Sequence, residues 1–81
     1  LVTELDLSCV GLELLNLDSF PSLKRLSLAN NSLNGKTLTA SQVGTLKNLV
    51  FLNINNNKVR NLETLVVVLA GLLDLVDLTF L

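Results

Sequence analysis

Reactive side chains are scarce in this 81-residue chain, so their spacing decides what chemistry they can do. It holds seven Asp and Glu, six Lys and Arg, one cysteine and no histidine. Without histidine, neither a Ser-His nor a Cys-His nucleophile can be assembled, which leaves a carboxylate pair as the acid–base option. Asp6 and Asp77 have the parity of one sheet face, but three strand spacings of about 4.8 Å put them roughly 14 Å apart. A glycosidase pair needs about 5–9.5 Å. Asp74 and Asp77 have opposite parity and should not converge. The expectation is a protein that is not an enzyme. Cys9 has no second thiol or imidazole to complete a metal site and reads as a half-buried thiol near an open edge; no cofactor or metal is expected. A net charge of −1 leaves no electrostatic footprint for nucleic acid, and Lys24 and Arg25 alone make no basic patch.

Asparagine carries the next signal. In "LNINNNKV", residues 52–59, alternating apolar positions run into Asn55, Asn56 and Asn57. Alternation reads as a strand with one buried face, whereas asparagine disfavours strands because its amide competes for backbone hydrogen bonds. A hairpin turn would need a second strand close behind, yet "LETLVVVLAGLL" follows and reads as helix.

An internal repeat answers the question. The pattern L-x-x-L-x-L-x-x-N-x-L fits Leu23, Leu26, Leu28, Asn31 and Leu33, and again Leu49, Leu52, Ile54, Asn57 and Val59. A weaker copy lies at Val2, Leu5, Leu7, Val10 and Leu12. A fourth is read at Leu73, Val76 and Leu78, with Leu81 in the asparagine slot. Leu7, Leu28, Ile54 and Leu78 are thus 21, 26 and 24 residues apart, inside the roughly 20–29 of leucine-rich repeats. The spacing predicts strands near 4–8, 25–29, 51–55 and 75–79, paired in parallel because each return is long enough to reverse direction twice. The fold class expected is α/β: a leucine-rich-repeat solenoid with a curved sheet of about four parallel strands and short helices or irregular segments on its convex side. Residues 1–81 form one repeat domain, read as a fragment of a longer chain. Leu5, Leu7, Leu26, Leu28, Leu52, Ile54, Val76 and Leu78 are its expected core.

Asn31 and Asn57 then belong to the turns behind the strands. One amide offers two donors and an acceptor, enough to bond the turns of its own and the adjacent repeat; Asn55 and Asn56 can be exposed. "NNS" at Asn30–Ser32 matches the glycosylation pattern and is read as coincidence. A lone cysteine favours a reducing compartment, so the expected location is intracellular, in the nucleus and/or cytoplasm. Among the returns, Thr39 or Ser41 is the expected cap of a short helix, and "NG" at Asn34–Gly35 a turn. Asn61 is the expected N-cap of the most helical return, whose stripe is Leu62, Leu65, Leu69, Leu72 and Leu73. The nine uncharged residues Leu65–Leu73 fall short of the roughly 20 a membrane span needs, and no membrane contact is expected.

"LDLSCVGLELLNLDSFPSLKRLSLANNSLNG" followed by "LVFLNINNNKVRNLETL" resembles the leucine-rich domain of the acidic leucine-rich nuclear phosphoproteins, with the N-x-x-x-G of Asn31–Gly35 and the Asn-Lys-aliphatic turn of "NNNKV". The long acidic tail and the C-terminal capping segment of that family are missing. The resemblance implies a small intracellular adaptor for other proteins, a regulator of phosphatase or chromatin proteins. The alternative is a structural leucine-rich subunit of a larger assembly, of spliceosomal or ciliary type.

The binding face follows from strand parity. The third repeat position gives the row Glu4, Arg25, Phe51 and Leu75; the fifth gives Asp6, Ser27, Asn53 and Asp77. Glu4 and Arg25 are expected neighbours. Phe51 and Leu75 read as an apolar anchor with Arg25, Asn53 and Asp77 around it, the arrangement of an interface hot spot. The partner expected is another protein, with self-association through the open C-terminal strand as a further possibility.

Overall fold

The computed structural model describes residues 2–60 and 62–79. In chain order its elements are β1 (Glu4–Asp6), β2 (Arg25–Ser27), α1 (Gly35–Ala40), a 3-10 turn (Val43–Thr45), β3 (Phe51–Asn53), α2 (Leu62–Ala70) and β4 (Asp77–Thr79). The strands form one sheet in the order β1-β2-β3-β4, and every adjacent pair is parallel. This α/β arrangement, a four-stranded parallel sheet with short helices, is compatible with a repeat fold.

Each strand is three residues long, shorter than the five expected. Backbone hydrogen bonds nevertheless run on behind β2 (Leu28 N to Asn53 O and Asn30 N to Asn55 O, each 2.8 Å), and asparagine side chains hold the turns that follow. Asn31 lies behind β2 and is 7 % exposed. Its Oδ1 accepts from the amides of Val10 (3.2 Å) and Leu12 (3.0 Å), and its Nδ2 donates to the carbonyls of Leu7 (2.8 Å), Leu28 (3.0 Å) and Ala29 (3.3 Å). Asn57 repeats this one unit on. It accepts from Leu33 N (3.1 Å) and donates to Leu28 O (2.8 Å), Ile54 O (3.2 Å) and Asn55 O (3.3 Å). Each amide therefore ties its own turn to the preceding one, as the repeat implies.

A second asparagine column has a different cause. Cys9, Asn30 and Asn56 occupy equivalent positions with φ of 60°, 58° and 57°. Asparagine tolerates this left-handed region better than most residues, and Asn56 Nδ2 also donates to Asn30 Oδ1 at 2.8 Å. Cys9 is exposed, not half-buried, since a left-handed turn carries it away from the core.

One face of the sheet packs on the helices. Leu26, Leu28, Leu52 and Ile54 join Leu38, Val43, Leu65, Val68 and Leu72 in a single buried cluster, with Leu5, Leu7 and Leu78 half-buried against it. Val76 does not belong there. It is 84 % exposed, because β4 sits two residues later than the repeat spacing predicts. Phe51 pairs with Asp77, Leu52 with Leu78 and Asn53 with Thr79. Equivalent leucines are thus Leu5, Leu26, Leu52 and Leu78, spaced by 21, 26 and 26 residues.

Helix ends also depart from expectation. Asn34, not Thr39 or Ser41, caps α1: its Oδ1 accepts from Thr37 N at 2.9 Å, and Asn34 N donates to Thr37 Oγ1 at 2.9 Å. This reciprocal pair is a capping box, so the Asn-Gly step starts a helix, while Ser41 ends it. Asn61 lies outside the described residues, as does the Leu62 side chain. In α2 the buried residues are Leu65 and Val68, with Leu69 half-buried; beyond the helix end Leu72 continues the buried stripe, whereas Leu73 is 76 % exposed. α2 lies against the preceding return through glycine. A Cβ at Gly71 would collide with the Gly44 carbonyl oxygen, and one at Gly44 would meet Val68 O at 3.3 Å.

Candidate functional site

The face opposite the helices is open, and strand alternation places two rows of side chains on it. The third position carries Glu4, Arg25, Phe51 and Asp77; the fifth carries Asp6, Ser27, Asn53 and Thr79. Arg25 organises the first row. Its Nε lies 3.3 Å from Glu4 Oε1, and its guanidinium carbon is 4.6 Å from the centre of the Phe51 ring. The cation thus bridges a carboxylate and an aromatic face across three strands. Both ends of the ion pair are more than half exposed, so it contributes at most about 1 kcal/mol. Its greater effect is to hold the Arg25 guanidinium over a half-buried phenyl ring.

Of the expected site residues, Arg25, Phe51 and Asn53 stand on this face, and the Glu4–Arg25 neighbourhood is present. Asp77 is on the face too, but beside Phe51 rather than beside Asn53. Leu75 is not there. The two-residue shift of β4 removes it from the strand, and it packs half-buried against the core. Phe51 accordingly has a carboxylate neighbour where an apolar one was expected. The face also presents Glu4, Asp6 and Ser27, which border a depression of ≈ 390 Å³ with Arg25 and Phe51. Their places in the third and fifth repeat positions are the sequence signal that puts these three on the face.

Polar groups at the upper rim are partly organised. Ser8 Oγ and Ser27 Oγ are 2.6 Å apart, and Ser8 N donates to Asp6 Oδ1 at 2.9 Å. Hydrogen bonds from the Ser8 side chain and backbone hold the Asp6 carboxyl below its ordinary value of 3.8. Depression favours the charged form, so whatever this group adds to folding is present above the unfolded value and lost as pH falls through the folded one. NMR titration of Asp6 should give a midpoint below 3.8 that rises in Ser8→Ala; equal midpoints in the two chains would remove Ser8 as the cause. One repeat pair further on, Asn55 N donates to Asn53 Oδ1 at 3.0 Å, while Asn55 Oδ1 is buried without a partner.

Among the described residues, no group of three or more His, Cys, Asp or Glu could hold a metal ion. Nor is any helix among them long and apolar enough to cross a membrane.

No family model matches the chain, and no solved structure matches it. It is similar to a tubulin-specific chaperone E of Dictyostelium discoideum, 43 % identical over 44 residues. That stretch covers 54 % of this chain but only 8 % of the chaperone.

Proposed function

We propose that the chain is a leucine-rich-repeat module that binds another protein on the concave side of a short solenoid. One observation carries this reading: an open sheet face on which Arg25 is clamped between Glu4 and Phe51, while the opposite face is filled by core. An aromatic with a stacked arginine at the centre of a polar surface is the composition of an interface hot spot. The partner would bring an apolar group to Phe51, with donors for Asp77, Asp6 and Asn53. The module acts by holding a partner, not by catalysis.

The similarity to a protein named as a tubulin-specific chaperone supports a protein partner and makes tubulin the first candidate. The resemblance to acidic nuclear phosphoproteins would add phosphatase and chromatin proteins, with action in the nucleus and/or cytoplasm. Calorimetry with purified tubulin, followed by capture from native extract, tests the reading. Phe51→Ala should weaken binding by about 2 kcal/mol, roughly 30-fold, with an unchanged circular dichroism spectrum. Unaltered affinity in a folded Phe51→Ala chain would rule out this surface.

A further inference from the structure

We propose that the open face holds a basic segment of its partner, with one arginine laid on Phe51 and Asp77 and a second cationic side chain reaching Asp6 and Ser27. This rests on the concave-face reading above and names the chemistry of what the face takes. A strand added outside either edge of the sheet would lengthen the face and leave both rows of side chains uncovered.

The third-position row supplies the pattern. Glu4, Arg25, Phe51 and Asp77 are successive lateral neighbours. Arg25 is held between a carboxylate at 3.3 Å and the Phe51 ring at 4.6 Å. On its β4 side the same ring has a carboxylate but no cation. Among the described residues the exposed Asp77 side chain has neither an ion pair nor a hydrogen bond. A partner's arginine would complete the row, laying its apolar stem and guanidinium on Phe51 and donating to Asp77. Arginine suits this place better than lysine, because its planar, weakly hydrated head stacks on an aromatic ring while donating as a fork to a carboxylate.

The fifth-position row asks for the same chemistry. Ser8 has one hydroxyl hydrogen, and its side chain gives it to the Asp6 carboxylate. In the 2.6 Å contact between the two hydroxyls, Ser27 is therefore the donor. Ser27 Oγ then has only lone pairs to offer a ligand, beside a carboxylate that the Ser8 bonds hold in its charged form. Asp6, Ser27 and Phe51 border one depression. An ammonium or guanidinium entering it meets acceptors alone on its β1 side.

Charge excludes the other occupants. The two rows carry Glu4, Asp6 and Asp77 against Arg25, and Glu4 already neutralises Arg25. Asp6 and Asp77 are left over. An acidic or phosphorylated segment would set like charges against both. An uncharged apolar segment would cover Phe51 but strip water from Asp77 without replacing it, which leaves a carboxylate uncompensated.

Random peptides displayed on phage test this, selected on the 81-residue chain and counter-selected on its Phe51→Ala variant. The peptides retained should be rich in arginine. One of them, made synthetically, should bind at least about tenfold more weakly to Asp6→Asn and to Asp77→Asn chains with unchanged circular dichroism spectra, and should lose as much when citrulline replaces its arginine. Glu13→Gln removes the same charge from the first return, away from the face, and should leave the affinity unchanged. Retained peptides that are acidic or uncharged overturn the proposal while the binding role of Phe51 stands. Arginine peptides indifferent to either Asp→Asn substitution overturn it as well. If no peptide distinguishes the parent from the Phe51→Ala chain, the face itself is ruled out and the proposal falls with it.

Discussion

An Asn31→Ala chain should unfold with about 3 kcal/mol less stability than the parent, at the upper end of the roughly 1–3 kcal/mol expected when buried polar groups lose their partner. The loss is large because a single amide serves five backbone groups. Two are amides of the first return and three are carbonyls from two neighbouring turns. The methyl group of alanine replaces none of these bonds, and the site is too enclosed for water to take over all of them. Asn57→Ala should cost about 1–3 kcal/mol, somewhat less, because Asn57 is half-buried and bonds four backbone groups. Asn55→Ala is the control. It removes a buried oxygen that has no partner and should shift stability by under about 0.5 kcal/mol. Urea melts of the three variants decide the matter. Equal midpoints for Asn55→Ala and Asn57→Ala would show that the turns are held by something other than this amide ladder.

Gly71→Ala should destabilise by about 2 kcal/mol, within the range for overpacking at a tight contact. Helix propensity argues the opposite sign, since alanine in place of glycine near a helix end commonly gains about 0.4–1 kcal/mol where the backbone permits it. Geometry decides between them. The new Cβ would lie far inside van der Waals contact of the Gly44 carbonyl oxygen, and a backbone atom cannot turn aside as a long side chain can. α2 would have to lift from the 3-10 turn, loosening Val68 and Leu72, which are 4 % and 5 % exposed. Gly44→Ala should cost less, because its Cβ meets Val68 O at 3.3 Å, a gap that a shift of a few tenths of an ångström relieves. Thermal melts of both variants test this; a stabilised Gly71→Ala chain would mean that the two segments are not held this close.

These two expectations differ in how far the amino-acid sequence announces them. Asn31 and Asn57 are legible because the motif fixes them at a set distance behind a leucine strand, where turn groups need an amide. The first three strands, the parallel pairing and the Glu4–Arg25 contact follow from the same spacing. The position of β4 does not. "LLDLVDLTF" contains overlapping frames, one starting at Leu73 and one at Leu75. A slip of two residues leaves every remaining strand side chain on its own face, so alternation is blind to it; a slip of one would not be. That blindness is why Leu75 was expected on the binding face and Val76 in the core. The Asn34 cap was obscured for a different reason. Asn-Gly is a strong turn signal, and here the turn and the first helical residue coincide. Gly44 and Gly71 meet only in three dimensions and have no local signature.

The strand order described above also governs how quickly the chain can find its fold. No strand pairs with a neighbour fewer than 21 residues away, and the β2–β3 and β3–β4 registers span 26. Hairpins are absent from the described sheet, so local collapse returns little of the entropy that loop closure consumes. Such topologies fold slowly for their size. The closure expected to gain most joins β2 to β3, where Leu26, Leu28, Leu52 and Ile54 are all fully or almost fully buried and the Asn57 amide reaches back to Leu28. Once that pair exists, β1 and β4 can each add to a ready edge from opposite sides. Because Leu5, Leu7 and Leu78 are only half-buried, amide hydrogen exchange is expected to be faster in these two strands than in β2 and β3.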